Sequence, residues 1–174
     1  MATVIMNYDS TSASNDITIT LASLASSSTS VAGRESNVVD NTTNKFDEVT
    51  VTGQITSGTT ATAGTPISVY VYCPIDLNSS TYVYPVAGST ALTGADAAAT
   101  FDVEQRNMMK LGAVITVNAT SDRKYMFQFS VAQLFGGIVP LKWGIWVTNG
   151  SGVALNATAG NHWITYTGIK YDVA

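Results

Sequence analysis

Apolar and small polar residues alternate along much of this chain, from Ile17 to Val173. In the run Met109–Val117 every second residue from Leu111 onward is apolar, and the run Val139–Thr148 repeats the pattern from Leu141. Successive side chains of a β-strand point to opposite faces. A period of two therefore predicts strands that pack one face inward and leave the other in water.

The pattern also predicts where the strands lie. Clear runs are Ile17–Leu21, Phe46–Thr56, Ile67–Cys73, Met109–Val117, Tyr125–Val131, Val139–Thr148 and His162–Val173. A short edge strand is indicated at Tyr82–Val86, because Pro85 is tolerated only at the edge of a sheet. The segment Val103–Met108 fits a helical turn or a strand.

About eight strands with connections of unequal length are typical of a jelly roll or a similar two-sheet sandwich. We therefore predict an all-β, single-domain antiparallel β-sandwich, jelly-roll-like, over residues 17–174. An N-terminal arm over residues 1–16 precedes it. Strand order does not follow from the sequence.

Charge and composition exclude several classes of protein. The chain of 174 residues has a net charge of -4, and its eight Lys and Arg residues are scattered, which argues against a nucleic-acid surface. No apolar run approaches the roughly 20 residues needed to cross a bilayer. The N-terminus carries no basic segment followed by an apolar one, so we expect no secretion signal, no membrane contact and a stay in the host cytoplasm.

Few residues offer reactive chemistry. His162 is the one histidine, and the one cysteine, Cys73, continues an apolar run as a small buried residue would. The adjacent pair Asp47 and Glu48 would point to opposite faces of a strand, and Asp102 with Glu104 would share a face only in an extended segment. We assign no catalytic residue, no metal ligand and no cofactor, and we expect that the protein is not an enzyme.

The tyrosines are more informative about function than these reactive residues. Tyr70 and Tyr72 lie on the face opposite Ile67, and Tyr82 and Tyr84 follow in the next connection. Aromatic side chains with a polar tip are common where partners dock, and they also stack on sugars. The alternative is that they cover the second face of the sheet or fill a margin of the sandwich, because strands favour aromatic residues.

Arg34 and Glu35 are a charged pair in an otherwise uncharged neighbourhood. They fit an ion pair between subunits or a solvated pair in a loop. With the four tyrosines, they complete the set of candidate interaction residues.

Two blocks of the sequence resemble a known family. SLASSSTSVAGRESNVVDNTTNKFDEVTVTGQITSGTTATAGTPISVYVY, from Ser23 to Tyr72, and SVAQLFGGIVPLKWGIWVTNGSGVALNATAGNHWITYTGIKYDVA, from Ser130 to Ala174, resemble small virion proteins of tailed bacteriophages. The region from Ser79 to Asn107 matches poorly. The resemblance implies a component of the virus particle, and jelly-roll modules recur in capsid proteins.

We therefore expect a head decoration (cement) protein that binds the major capsid protein on the outer surface of the capsid and stabilises the shell. A homo-oligomer, trimer first and dimer second, would grip several capsid subunits at once. The alternative is a carbohydrate-binding or host-adsorption module of the phage tail or head, with the same tyrosines as a stacking platform.

Overall fold

The computed structural model describes residues 3–9, 15–74, 86–87 and 90–173, and most of their regular structure is β-strand. None of the helices in this part of the chain is long and apolar enough to span a membrane. The strands are β1 (Val4–Asp9), β2 (Ala32–Glu35), β3 (Val39–Asp40), β4 (Glu48–Thr56), β5 (Pro66–Tyr72), β6 (Val86–Ala87), β7 (Thr90–Ala91), β8 (Ala97–Thr100), β9 (Lys110–Thr116), β10 (Lys124–Ser130), β11 (Lys142–Asn149) and β12 (Trp163–Val173). The helical pieces are α1 (Val103–Arg106), α2 (Val131–Leu134) and a 3-10 turn (Ala159–Asn161).

Two antiparallel sheets form the sandwich. The four-stranded sheet has the order β1-β12-β4-β10, and the larger sheet has the order β8-β2-β11-β5-β9. The short strand β3 also pairs with β11, so β2 and β3 are two pieces of one strand that is interrupted at residues 36–38. The hairpin β6–β7 stands apart from both sheets.

The strand pairing is that of a jelly roll. If β2 and β3 count as one strand and the additions β6 to β8 are set aside, the first of eight strands pairs with the last (β1 with β12) and the second with the seventh (β2 with β11). The third pairs with the sixth (β4 with β10) and the fourth with the fifth (β5 with β9). This double Greek key confirms the predicted all-β sandwich and its jelly-roll likeness.

The main core lies between the two sheets. Val49, Val51 and Ile55 alternate along β4 and are fully buried, and Val69 and Val71 meet them from β5. Each such side chain is stabilised by about 1.5–3 kcal/mol on leaving water. The predicted strand Phe46–Thr56 and its inward face are therefore confirmed.

A second apolar layer covers the outer face of the larger sheet. Its buried members are Tyr72, Leu92, Ala99, Phe101, Met109 and Trp146. Strand β11 is consequently buried on both faces, with Ile145 in the main core and Trp146 in this outer layer. Gly144 leaves the space that the Tyr72 ring occupies, because a Cβ there would lie 2.4 Å from that ring.

The predicted strand Ile17–Leu21 is wrong. The segment is extended, but it joins the four-stranded sheet only through the bridge between Asp16 and Thr165. Its backbone groups bond to different partners, since Thr18 accepts from the Asn37 amide while Ile17 donates to the Ile164 carbonyl. The alternation arises because Ile17 and Leu21 still pack into the core.

The predicted core positions Leu111 and Leu141 are also wrong, since their exposures are 48% and 45%. The register between β5 and β9 slips so that Tyr70 pairs with Leu111 and Val69 with Ala113. This bulge at Gly112 places Leu111 on the opposite face of the sheet from Ala113 and Ile115. Leu141 lies just before the first residue of β11, where the sheet has not yet begun.

The remaining strand predictions agree with the structure to within a few residues. Val103–Met108 contains α1 rather than a strand, with Asp102 as its N-cap. Residues 1–16 include β1, which forms the edge of the four-stranded sheet. The predicted edge strand Tyr82–Val86 lies almost wholly outside the described residues.

Candidate interaction surfaces

The outer face of the four-stranded sheet is exposed among the described residues, and we call its centre the open face. Inward residues of its strands, such as Val51, Phe127 and Tyr166, are buried in the core. The residues next to them along each strand point outward. The open face consists of Thr50, Thr52, Gln54, Met126, Gln128, Trp163, Thr165 and Thr167.

Cross-strand register sets the arrangement of these side chains. Thr52 of β4 lies between Thr165 of β12 and Gln128 of β10. Gln54 lies in the next row, between Trp163 and Met126, which are 38% and 59% exposed. The open face therefore combines hydroxyls and amides with one aromatic and one thioether side chain, and the charged outward residues Glu48 and Lys124 lie at its margins.

A second exposed group lies at the far end of the same sheet and is here called the apolar edge. It consists of Val4, Met6 and Tyr8 of β1 with Tyr171 of β12, all 47% to 65% exposed. Met6 pairs in register with Tyr171. Exposed apolar residues in one contiguous group are typical of a surface that binds a partner.

His162 has a structural role at the start of β12. Its Nδ1 accepts a hydrogen bond from the Thr56 amide at 3.3 Å, and its Nε2 lies 2.9 Å from the Asn156 carbonyl. These bonds require the neutral ring with the proton on Nε2. Burial lowers the pKa of His162, and the hydrogen bond to Asn156 opposes this only in part. His162 also lines a cleft of about 260 Å³ with Asp16, Thr18 and Trp163.

The other reactive candidates are separate from one another. Cys73 is half-buried, and burial raises the pKa of its thiol. Asp47 accepts a hydrogen bond from the Tyr171 amide, whereas Glu48 accepts one from the Ser130 hydroxyl. In the described part of the chain, His, Cys, Asp and Glu side chains form no group of three or more that could hold a metal ion.

Arg34 is bonded within the chain rather than to Glu35. Its Nε lies 2.5 Å from Oδ1 of Asp96, and Asp96 also accepts from the amide and hydroxyl of Thr20. Partial burial raises the pKa of Asp96, but the bonds from Arg34 and Thr20 outweigh it and hold that pKa below its ordinary value. Adjacent strand residues point to opposite faces, which separates Arg34 from Glu35.

Glu35 is 1% exposed and holds a loop in place. Its carboxylate accepts hydrogen bonds from the Thr93 amide and hydroxyl and from the Gly94 amide, at 2.9 to 3.1 Å. The Tyr72 hydroxyl lies 3.4 Å from the same carboxylate. Glu35 thus attaches the segment that carries the outer apolar layer to the larger sheet.

The four candidate tyrosines do not form one exposed group among the described residues. Tyr72 is 1% exposed, and the half-buried Tyr70 packs its ring 5.5 Å from the ring of Trp146. Both take part in covering the larger sheet. Tyr82 and Tyr84 lie outside the described residues.

Trp163 and Met126 are not among the candidate residues predicted from the sequence. The signal was present, since Trp163 is out of phase with Ile164 and Tyr166, and Met126 with Phe127. Alternation assigns both residues to an outer face. A search for apolar residues on outer faces would therefore have identified them as candidates. No protein-family model matches the chain, and a search of curated proteins finds no significant match.

Proposed function

We propose that the chain is a bacteriophage head decoration protein that binds the outside of the major capsid shell through its open face and stabilises the shell. The observation that carries the proposal is the uncharged centre of this sheet face, where the exposed Trp163 and Met126 lie on either side of Gln54. The jelly-roll pairing and the resemblance of the two sequence blocks to virion proteins support it.

The composition of the open face suits a protein partner. Aromatic and methionine side chains are enriched at the centres of interfaces, where charged residues are depleted. Threonine hydroxyls donate and accept hydrogen bonds, so Thr50, Thr52, Thr165 and Thr167 can satisfy polar groups of a partner at little rotamer cost. The acidic balance of the chain leaves the rest of its surface unsuited to binding packaged nucleic acid.

The size of the open face indicates that one copy binds weakly. The open face spans three strands about 4.8 Å apart and about five residues of about 3.3 Å each, which cover roughly 240 Å². A stable interface uses about 800 Å² of each partner. We infer that strong binding requires several open faces on one oligomer, which turns modest contacts into avidity.

The test uses undecorated heads of the phage that encodes the protein. Purified protein should co-sediment with heads in a fixed ratio to the capsid subunit, and decorated heads should withstand higher temperature. Met126→Lys places a charge on the open face and should weaken binding at least about tenfold, as expected for an unpaired charge in an interface. Val114→Lys, at a residue 53% exposed on the larger sheet, is the matched control and should bind normally.

Two results would refute the proposal. One is equal binding by the Met126→Lys and Val114→Lys variants, which would remove the open face from the interaction. The other is binding to the tail alone, or heads that fail at the same temperature with and without the protein.

A carbohydrate-binding or host-adsorption role is the second candidate, and Trp163 is the observation that favours it. An exposed indole beside Gln54, with the Asp16 cleft next to it, could stack on a sugar ring and bond its hydroxyls. Binding on a glycan array that is lost in the Trp163→Ala variant would support this role. An array without any specific signal would exclude it.

A further inference from the structure

We infer that β1 is a self-association strand: two copies of this chain pair their β1 edges antiparallel, with Met6 on the two-fold axis, to form a continuous eight-stranded sheet. The inference does not depend on capsid binding, because it concerns the protein free in solution.

The first observation is that the edge strand β1 lacks the features that usually prevent pairing with another chain. Among the described strands, β12 is the only one that pairs with β1, so the other side of β1 presents backbone N–H and C=O groups of the residues from Val4 to Tyr8 outward, whereas the Asp9 carbonyl accepts a hydrogen bond from the Asn15 side chain. Natural edge strands are blocked by lysine, proline, bulges or short length. β1 has six residues, contains neither Lys nor Pro, and keeps an unbroken register with β12 from Val4 to Asp9.

The opposite edge of the same sheet differs. Strand β10 packs beside β9 of the larger sheet, where the Tyr125 hydroxyl accepts a hydrogen bond from the Asn118 amide. The sandwich is thus closed along that side by its own chain, whereas β1 has no such neighbour among the described strands.

Symmetry then restricts the register. Antiparallel pairing of two identical edges places the two-fold axis perpendicular to the sheet, so facing residues come from the same side of each copy. The axis must therefore pass through a residue rather than between two. With Met6 on the axis, Val4 faces Tyr8 of the other copy, so the β1 residues of the apolar edge pair only with one another.

Charge agrees with this register. Asp9 is the one charged residue of β1, and the two Asp9 side chains would be six residues apart, roughly 20 Å. That exceeds the Debye length of about 8 Å at physiological salt, so they repel little. An axis at Asn7 would instead place Asp9 opposite Ile5, which pairs a charge with an apolar side chain.

The dimer changes what the molecule presents to a partner. Both copies keep their open faces on the same side of the joined sheet, so the roughly 240 Å² of one copy becomes about 480 Å². The doubled area is closer to the roughly 800 Å² that a stable interface uses on one partner. The pairing itself buries one strand edge and a small apolar group per copy, for which a dissociation constant in roughly the micromolar range is expected.

The first test is the mass in solution by sedimentation velocity and light scattering, from about 1 µM to about 1 mM, a range that brackets that affinity. The chain of 18.3 kDa should move from monomer to dimer across it. The double variant Met6→Lys, Tyr8→Lys should dissociate at least about tenfold more readily, because edge lysines prevent pairing. Met126→Lys, on the opposite edge strand, should dimerise like the original protein.

The second test locates the axis by cysteine cross-linking in a Cys73→Ser background. Single Met6→Cys should form a disulfide-linked dimer faster than Ile5→Cys, Asn7→Cys or Met126→Cys, because only an axial residue meets itself at bonding distance. A monomer throughout the concentration range, a closed trimer, or dominant cross-linking at any of the three other positions would overturn the inference. A far-ultraviolet spectrum of each variant confirms that it is folded.

Discussion

The two sheets of the sandwich have opposite outer faces. On the larger sheet Trp146 is fully buried beneath Phe101, whose ring lies 5.0 Å away, whereas on the four-stranded sheet Trp163 is 38% exposed. Both residues occur in strands with the same alternating pattern. A period of two therefore identifies the face that meets the core, but a distant segment decides whether the second face meets water.

That distant segment lies between β5 and β9. The residues around β8 and α1 form the outer apolar layer, and two carboxylates hold them to the sheet: Glu35 binds the amides of Thr93 and Gly94, and Asp96 binds Arg34. Buried charges are stabilising only when their hydrogen bonds are satisfied, as they are here. No corresponding polar anchor exists on the open face within the described residues.

The largest expected effect separates the two tryptophans. Trp146→Ala should lower the free energy of unfolding by about 3–5 kcal/mol, because it leaves a cavity in the outer layer. Trp163→Ala should cost about 1 kcal/mol or less, as for an exposed residue. Urea unfolding measures both, and equal losses would contradict the distinction between the faces.

The second prediction concerns the anchor. Glu35→Ala leaves the amides of Thr93 and Gly94 without an acceptor and should cost about 2–3 kcal/mol. Hydrogen exchange at those two amides should accelerate. Glu104→Ala, at an exposed residue of α1, is the control and should change stability by no more than about 0.5 kcal/mol. Unchanged exchange in the Glu35→Ala protein would show that the carboxylate does not hold the loop.

The third prediction uses the hydrogen-bonded His162. Its folded pKa lies below the unfolded value of about 6.5, so protonation favours the unfolded chain. Stability should be complete above that pH and should fall as the pH drops through about 6.5 toward the lower pKa of the folded state. Urea midpoints across this range test it, and the decline should vanish in the His162→Gln variant, since the chain has one histidine. A decline of equal size in the variant would assign it to other groups.

The smallest effect is expected on the open face. Thr52→Lys should alter stability by about 0.5 kcal/mol or less, because its side chain reaches water. Thr148 is an outward threonine of the larger sheet, but it is 1% exposed and donates a hydrogen bond to the Ala32 carbonyl. Thermal melting of Thr148→Lys should therefore show a loss several times larger. Similar melting temperatures for the two variants would mean that the larger sheet is not covered.

Local patterning was sufficient for most strands and for the jelly-roll class. In β4 and β12 one face is buried and the other is wet, so Val49 to Ile55 and Ile164 to Tyr166 alternate cleanly with threonine. Those are the conditions under which a period of two is informative. The strand pairing needed the three-dimensional structure, because partners such as β1 and β12 are far apart in sequence.

The failures have physical causes that local sequence does not carry. Ile17 and Leu21 alternate because they pack on the core, although their backbone joins no ladder. Gly112 shifts the phase of β9 and exposes Leu111. The sequence predicts Tyr72 and Glu35 to be surface residues, because alternation alone does not show that a distant segment covers the outer face of the larger sheet.

The position of β12 also has a consequence for the order of folding. It is the last strand in the chain, yet it lies inside the four-stranded sheet, between β1 and β4. Until its residues leave the ribosome, β1 and β4 have no shared partner, and the sheet is limited to the pair β4–β10. Contacts of such large sequence separation form slowly, and strands that are still unpaired are prone to aggregation. The pairing of β12 with β1 and β4 is therefore the step that completes the four-stranded sheet.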